Sequence, residues 1–192
     1  MKPILFNTKM VRAILEGRKT LTRRLVKPQP TNPRFNNIGW LGWDDGHGYK
    51  MRQPYQPGDI LYVRETWAEN PMVNGYAYKA WFNTENGDAE KADKLFEWRP
   101  SIHMPKEAAR LFLRVTDVQV ERLQEITTAE CVREGIPRKS LAEVGEAFTI
   151  GQFSDLWDST IKKADLSTCG WNANPWVWVI RFKRIGKEEA TQ

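Results

Sequence analysis

The residues best suited to chemistry lie in one short stretch near the start of this 192-residue chain. Residues 17–24 read Gly-Arg-Lys-Thr-Leu-Thr-Arg-Arg and place hydroxyl groups beside a lysine. A threonine hydroxyl becomes a nucleophile when a base accepts its proton, and a lysine amine can be that base when burial or neighbouring cations lower its pKa. Lys19 has Arg18, Arg23 and Arg24 close by in sequence, so it has the setting that a lysine base requires.

The same part of the chain is strongly basic. Residues 1–28 contain eight basic residues and one acidic residue, whereas the whole chain has a formal net charge of only +5. A cationic segment attracts a phosphate-bearing partner, because neutralising phosphates releases counterions. The charge alone fits a solvated basic face equally well.

Other common chemistries find little support in the sequence. The histidines and cysteines lack the short paired spacing of a zinc site; they are His47, His103, Cys131 and Cys169. The glycine-rich run at 39–48 has no Walker lysine and no strand-to-helix context, which predicts a loop and not a phosphate cradle. We therefore expect no metal and no cofactor.

Length and composition favour one folded domain over residues 1–192. The chain has a mass of 22.3 kDa, 41% hydrophobic residues and a mean hydropathy of −0.60. No apolar run approaches the roughly 20 residues that cross a bilayer, and the start lacks the pattern of a signal peptide. With only two cysteines, the sequence predicts a cytoplasmic protein without a membrane partner.

Hydrophobic periodicity predicts the elements that would position the basic stretch. Residues 110–122 alternate apolar and polar for about a dozen positions, which is typical of a long barrel strand. The expected strands are 4–6, 19–26, 59–67, 76–82, 110–122 and 175–182; the expected helices follow residue 7 or 8, run from 127 or 128 to 135, and span about 140–162 with an interruption near Gly151.

The remaining segments read as loops. Residues 27–58 are rich in proline and glycine, so regular structure is not expected there, and Trp40, Trp43 and Tyr49 would either pin this loop or form a stacking surface. Residues 83–94 read as an exposed loop with a turn at Asn86-Gly87. Residues 183–192 read as a polar tail.

Several separated blocks together resemble one family. They are the GRKT-x-T-R-R stretch after a short helix, the strand GDILYVRETW, the helix AECVREGI and a final aromatic strand. In this order they resemble the ASCH-domain family of the PUA-like superfamily. Residues 27–57 and about 68–105 look like insertions relative to compact members, and the longer form resembles phage or prophage-encoded relatives.

The resemblance implies an α+β fold, with a small antiparallel or mixed β-barrel flanked by short helices. It also implies a cleft that binds RNA or modified nucleosides. Some compact members are amidohydrolases that remove the acetyl group from N4-acetylcytidine with a threonine nucleophile, a lysine and a glutamate. Matching the motifs places these roles at Thr22, Lys19 and Glu134, where Glu134 would protonate the departing cytosine amine.

This triad makes a geometric demand. Side chains alternate along a strand, so a regular strand from residue 19 would point Lys19 and Thr22 to opposite faces. Lys19 must therefore lie in the turn, or a bulge must separate the two residues. The helix end that bears Glu134 must also converge on them.

Further residues are candidates for substrate binding. Arg24 or Arg64 would hold an oxyanion, ribose or phosphate, with Arg18 and Arg23 adding positive charge. Glu65 is a second candidate acid, although its strand also fits a simple solvated face. Trp176 and Trp178 share a face and would stack on a base or pack in the core. The predicted binding set is Arg18, Arg23, Arg24, Arg64, Glu65 and Trp176.

Three functions remain open at this stage. The first is amide hydrolysis on a modified cytidine. The second is a non-catalytic module that binds RNA or a modified base, and the third is a ribonuclease that uses Lys19 and Glu134 on a 2′-hydroxyl. Taken singly, these residues also fit a solvated lysine and an exposed carboxylate. The expected partner is RNA or a modified nucleoside, and the sequence names no protein partner.

Overall fold

The computed structural model describes residues 1–30, 32–36, 39–44, 53–82, 87–137 and 141–191; it describes no side chains at 32–36, 39–44, 141–144 and 146. The strands are β1 (Lys2–Leu5), β2 (Leu21–Leu25), β3 (Asn32–Asn36), β4 (Gly39–Asp44), β5 (Ile60–Arg64), β6 (Trp67–Asn70), β7 (Gly75–Tyr78), β8 (Phe112–Arg122) and β9 (Trp176–Ile185). The helices are α1 (Thr8–Leu15), α2 (Asp88–Leu95), α3 (Thr128–Arg133), α4 (Leu141–Thr160), α5 (Leu166–Cys169) and α6 (Lys187–Thr191).

The largest sheet has the strand order β1-β5-β8-β9-β2. It is mixed, because β1 runs parallel to β5 whereas β5–β8 and β2–β9 are antiparallel. This mixed sheet with short helices confirms the predicted α+β class. The long alternating strand is also confirmed, since β8 has eleven residues.

The chain forms two compact units, and each contains its own apolar cluster. The first unit comprises residues 1–18, 58–115 and 183–192. Its β5 pairs with both β1 and β8, and β6 pairs with β7. The cluster here consists of Trp67, Tyr78, Met104, Ala108, Ala109, Phe112, Ile185 and Ala190. The prediction of one domain over 1–192 stays a prediction.

The second unit comprises residues 19–57 and 116–182. Residues of β2 pair with β9 in a regular antiparallel register from Leu21↔Arg181 to Leu25↔Val177. The apolar cluster consists of Leu21, Leu123, Ile126, Cys131, Ile136, Phe153, Trp157, Val177 and Val179. It packs the strands against α3 and α4, and so holds the end of α3 near β2.

Two segments that were predicted to be irregular form regular structure. Strands β3 and β4 pair within 27–58, so the prediction of an irregular loop was wrong there. The backbone pairing tolerates the prolines and glycines because Pro33 lies in a two-stranded ribbon. Tyr49 and His47 lie outside the described residues, as do the side chains of Trp40 and Trp43.

The run at 83–94 was also misread, because its described part contains α2. Gly87 has φ +70 immediately before the helix, and Asp88 and Glu90 lie in the first turn, where acidic groups stabilise the helix dipole. Ala92 is buried, which gives this polar helix an anchor. Asn86 lies outside the described residues.

Two further boundaries differ from prediction. The break in α4 is at Gly145, with φ 59 and ψ 162, whereas Gly151 continues the helix. The segment 183–192 is not a simple tail, because β9 continues to Ile185 and α6 follows. Ile185 and Ala190 enter the apolar cluster of the first unit, and their burial explains this order. Across the described ranges, no helix has the length and apolar character to cross a membrane.

Candidate functional site

Lys19 lies in an irregular segment between α1 and β2. Gly17 ends the first helix with φ 75, and the strand begins only at Leu21. The backbone between them is anchored, because the Thr20 amide donates to Arg133 O at 2.9 Å and Thr20 O accepts from the Phe182 amide at 2.9 Å. Lys19 therefore precedes the strand and strand alternation does not govern its direction, while the triad itself stays a prediction.

The structure brings Lys19 together with Glu134. Lys19 Nζ donates to Glu134 Oε2 at 2.6 Å, to Glu134 O at 2.8 Å and to Leu21 O at 2.9 Å. Both residues are buried, with exposed fractions of 2% for Lys19 and 4% for Glu134. Two residues 115 positions apart in sequence thus form one enclosed ion pair, which we call the Lys19–Glu134 pair.

The surroundings favour loss of the lysine proton. Burial lowers the pKa of Lys19 most strongly, and the charges of Arg24 and Arg23 lower it further, while Glu134 opposes both effects. A lysine amine in such a setting can exchange its proton.

Helix α3 delivers Glu134 to this position. Thr127 caps the helix in a capping box with Glu130, and Glu134 is the last residue before the chain turns. Gly135 has φ 103, and the next amide, that of Ile136, donates to Cys131 O at 3.1 Å. The Glu-Gly sequence therefore ends the helix as a glycine stop does and leaves the carboxylate pointing inward.

Arg23 forms a second contact on Glu134. Its Nη2 donates to Glu130 Oε2 at 2.8 Å and to Glu121 Oε2 at 3.2 Å, while Nη1 lies 3.6 Å from Glu134 Oε1. Within the part of the chain that the structure describes, Glu134 Oε1 and Arg23 Nη1 have no hydrogen-bond partner. Among the described residues, Glu134 Oε1 therefore faces the Arg23 guanidinium without accepting a hydrogen bond. Arg23 as a substrate-binding residue stays a prediction.

Thr22 directly follows Leu21, whose carbonyl oxygen accepts from the lysine amine. The Leu21 oxygen that accepts from Lys19 Nζ belongs to the Leu21–Thr22 peptide, and in a trans peptide this oxygen lies on the same side as the following Cα. Thr22 is buried and lies on the opposite face of β2 from Leu21 and Arg23. Its role as nucleophile stays a prediction.

Arg24 shares the strand face of Thr22. It is half-buried, and burial lowers the pKa of its guanidinium, an effect that Tyr55 and Glu134 oppose. An arginine retains its proton throughout the ordinary pH range, so Arg24 remains a fixed positive charge near Glu134.

Two other predicted binding residues, Arg64 and Glu65, lie in the first unit. Arg64 Nε donates to Met104 O at 2.9 Å, and its Nη2 donates to Ile102 O. Glu65 is buried and accepts two hydrogen bonds of 3.0 Å from Arg110. Burial raises the pKa of Glu65, while Arg110 opposes that rise. We call these two residues the Glu65–Arg110 pair.

The last two predicted binding residues also have defined contacts. Arg18 forms an ion pair with Glu16, at 2.5 Å between Nη2 and Oε2. Trp176 lies under the Arg122 guanidinium at 4.2 Å, while Trp178 is buried. Base stacking by Trp176 stays a prediction.

Sequence reasoning missed the charged residues that surround Arg23. Glu130 accepts from Arg23 and from Arg181 Nη2, the latter at 2.9 Å, and Arg181 also reaches Asp117 at 3.3 Å. One signal was available, because Thr127 and Glu130 have the spacing of a capping box. Among the described residues, no group of three His, Cys, Asp or Glu side chains is arranged to hold a metal ion.

Comparison with known proteins finds a weak likeness to solved structures. No family model matches the chain, and no curated protein matches it. A crystal structure of an Enterococcus faecalis protein, described with the family model DUF984, has 10% identity and a TM-score of 0.39 over 97% of this chain and 82% of that one. An ASCH domain from Lactobacillus crispatus has 15% identity and a TM-score of 0.35 over 91% of this chain and 70% of that one.

Proposed function

We propose that the second unit hydrolyses an acetyl amide on the exocyclic amine of a modified cytidine, either as a nucleoside or within RNA. Thr22 is the nucleophile, Lys19 the base and Glu134 the proton carrier. The observation that supports this proposal is the buried Lys19–Glu134 pair, whose lysine amine is hydrogen-bonded to the Leu21–Thr22 peptide.

The reaction begins with proton transfer inside the pair. In the resting state the ammonium of Lys19 donates three hydrogen bonds, so it has no lone pair to act as a base. Moving one proton along the 2.6 Å contact to Glu134 Oε2 creates a neutral amine and a neutral carboxylic acid. Burial favours this exchange, because two neutral groups carry no penalty for buried charge.

The two neutral groups then serve opposite ends of the reaction. Thr22 Oγ1 attacks the acetyl carbonyl carbon and passes its proton to Lys19 Nζ. The bond between that carbon and the cytosine N4 breaks, and N4 takes the proton from Glu134. Free cytidine leaves and the acetyl group remains as an ester on Thr22; water then hydrolyses the ester to acetate and restores the hydroxyl.

Arg24 is the proposed stabiliser of the oxyanion. It shares a strand face with Thr22 and keeps its positive charge during the reaction. Preorganised positive charge at the developing oxyanion is worth several kcal/mol in a buried site, on the order of 3 kcal/mol for one donor. The exposed Lys27, a basic residue of the second unit, would attract the phosphates of an RNA substrate.

A binding module without catalysis is the second candidate. The three hydrogen bonds donated by Lys19 Nζ favour this candidate, because a lysine whose protons are all bound can serve only to hold the fold together. In this case the second unit would bind RNA or a modified base, with affinity that falls steeply as salt rises.

Incubation with N4-acetylcytidine separates the two candidates. We expect release of cytidine and acetate, measured by chromatography, and loss of this activity in Thr22→Ala. Thr116→Ala is the matched control, because Thr116 is an exposed strand residue of the same unit. An inactive wild-type protein, or full activity in Thr22→Ala, would falsify the hydrolase and leave binding as the function.

A further inference from the structure

The first unit has a cavity of its own, whose lining contains none of the residues of the proposed hydrolase. It has a volume of about 320 Å³, which lies within the usual range for small-ligand sites. Helix α1 contributes one wall, and the rest comes from residues 79–98, part of the segment that reads as an insertion. The lining residues are Thr8, Lys9, Arg12, Lys79, Phe82, Ala89, Ala92, Asp93 and Trp98.

One side of this cavity is aromatic and apolar. Phe82 and Trp98 have ring centroids 5.9 Å apart, and Phe96 packs against both. Trp98 is held in place, because its Nε1 donates to Asp93 Oδ1 at 2.7 Å. A fixed indole beside a small apolar cavity is suited to stacking on a planar ring.

The lining also carries cations, and one of them, Lys79 Nζ, lies 5.8 Å from the centre of the Trp98 ring. Lys9 and Arg12 are three positions apart on α1 and therefore lie on the same side of the helix. Arg12 donates to two backbone oxygens, those of Ala80 and Phe82, so its charge is fixed in position without being neutralised. Asp93 is the only acidic residue among the described residues of the lining, and it forms an ion pair with Lys79 at 2.9 Å.

We propose that this cavity binds a nucleotide, with its base against Trp98 and Phe82 and its phosphate at Lys9 and Arg12. Among the residues of the lining that the structure describes, three are basic and one is acidic, so they favour an anion. Inorganic phosphate would leave the aromatic side empty, and an uncharged aromatic molecule would leave the cations without a partner. A base joined to a phosphate satisfies both sides.

The nucleotide has two possible sources, a free nucleotide or one unit of an RNA strand. A phosphate monoester belongs to the first and a phosphodiester to the second. The site stands independently of the proposed hydrolase, because its lining lies within residues 8–12 and 79–98, which belong to the first unit. It also assigns a role to the segment at about 68–105.

Calorimetric titration of the full chain tests the proposal. The probes are adenosine 5′-monophosphate, adenosine, inorganic phosphate and a hexa-adenylate RNA. We expect the monophosphate to bind at least tenfold more tightly than adenosine or phosphate. Trp98→Leu should weaken this binding by about tenfold or more, since one stacked base contributes about 1–3 kcal/mol. Lys9→Gln should weaken it severalfold.

The controls separate binding from folding. Lys9 and Lys106 are both exposed residues of the first unit, so Lys106→Gln makes the same charge change outside the cavity and should bind like the wild type. Trp98→Phe should retain more affinity than Trp98→Leu. Because Lys9 is exposed, its variant tests the site even where a Trp98 variant does not fold.

The outcomes are distinct. Loss of hexa-adenylate binding in the same variants assigns the site to an RNA strand, whereas tight binding of the monophosphate alone assigns it to a free nucleotide. Equal affinity for adenosine and its monophosphate overturns the proposal, as does unchanged binding in Lys9→Gln and Trp98→Leu or no binding of either nucleotide probe. Cytidine release from N4-acetylcytidine should continue in these variants, so the failure of one proposal is not the failure of the other.

Discussion

Each unit buries a carboxylate against a basic side chain, and the two pairs differ in the contacts that remain. In the Glu65–Arg110 pair, both carboxylate oxygens accept from one guanidinium, which also lies 4.3 Å from the Tyr78 ring and 4.8 Å from the Trp81 ring. In the Lys19–Glu134 pair, one oxygen accepts from an amine and the other has no hydrogen-bond partner among the described residues.

The difference concerns the proton. An arginine keeps its proton at any ordinary pH, so Arg110 fixes Glu65 without exchanging anything with it. A buried lysine can release its proton, and Glu134 Oε2 lies 2.6 Å from the Lys19 amine, while Oε1 lies 3.6 Å from Arg23. Burial alone therefore does not distinguish the two carboxylates; the type of base beside each one does.

The largest expected effect is a difference in catalytic activity between variants of the two pairs. Glu134→Gln removes the proton carrier and should lower kcat for N4-acetylcytidine by about 10²–10⁴-fold, the usual contribution of acid–base catalysis. Lys19→Arg should do the same, because the charge remains but the base is lost. Glu65→Gln should leave kcat within about twofold of wild type. Equal losses in Glu134→Gln and Glu65→Gln, measured as initial rates, would remove the distinction.

The next effect is on stability. Arg110→Met leaves Glu65 buried without its partner and should lower the free energy of unfolding by about 3–5 kcal/mol at neutral pH. The double variant Arg110→Met/Glu65→Leu should recover much of this loss, because no buried charge is left unpaired. Urea denaturation measures both. If the single variant is as stable as the wild type, the Glu65–Arg110 pair does not act as a structural tie.

The smallest effect is a pH slope. Burial raises the pKa of Glu65 in the folded state above its ordinary value of 4.5. At a pH between the ordinary and the raised pKa, the folded state therefore holds a proton that the unfolded state has lost. The contribution of this group to stability is therefore complete below pH 4.5 and is lost as pH rises through the folded-state pKa. Glu65→Gln should flatten this decline.

Thermal unfolding of wild type and Glu65→Gln across the acid range checks the sign. In alkaline solution, Lys19 should have the opposite effect on the pH dependence of stability. Its pKa is lowered, so stability should rise with pH until the unfolded lysine also loses its proton. A wild-type slope equal to that of the Glu65→Gln variant would show that Glu65 does not titrate differently in the folded state.

Local patterns predicted much of the fold around the candidate site. The alternation at 110–122 predicted β8, and a threonine cap at 127 or 128 with a glycine stop at Gly135 predicted the limits of α3. These features depend on residues a few positions apart. The pairing of β3 with β4 and the existence of α2 were missed, because one buried alanine and a short ribbon leave little trace in periodicity.

Only part of the candidate site could be predicted from the sequence. Lys19, Thr22 and Glu134 followed from the ordered motifs, but the partners that distinguish the two carboxylates did not. Arg110 is 45 positions from Glu65, and Arg23 is 107 from Glu130. No local rule links residues at such separations, since the packing of whole strands and helices brings them together. For the same reason, the sequence did not predict that Glu65 is buried against Arg110.

Glu130 has a consequence for how the hydrolase site would assemble. One carboxylate completes the cap of α3 and accepts from two arginines, Arg23 on β2 and Arg181 on β9. A helix of six residues is too short to persist by itself in water. The helix that ends at Glu134 thus depends on contacts with both strands, so we expect the Lys19–Glu134 pair to form only after β2 and β9 have paired.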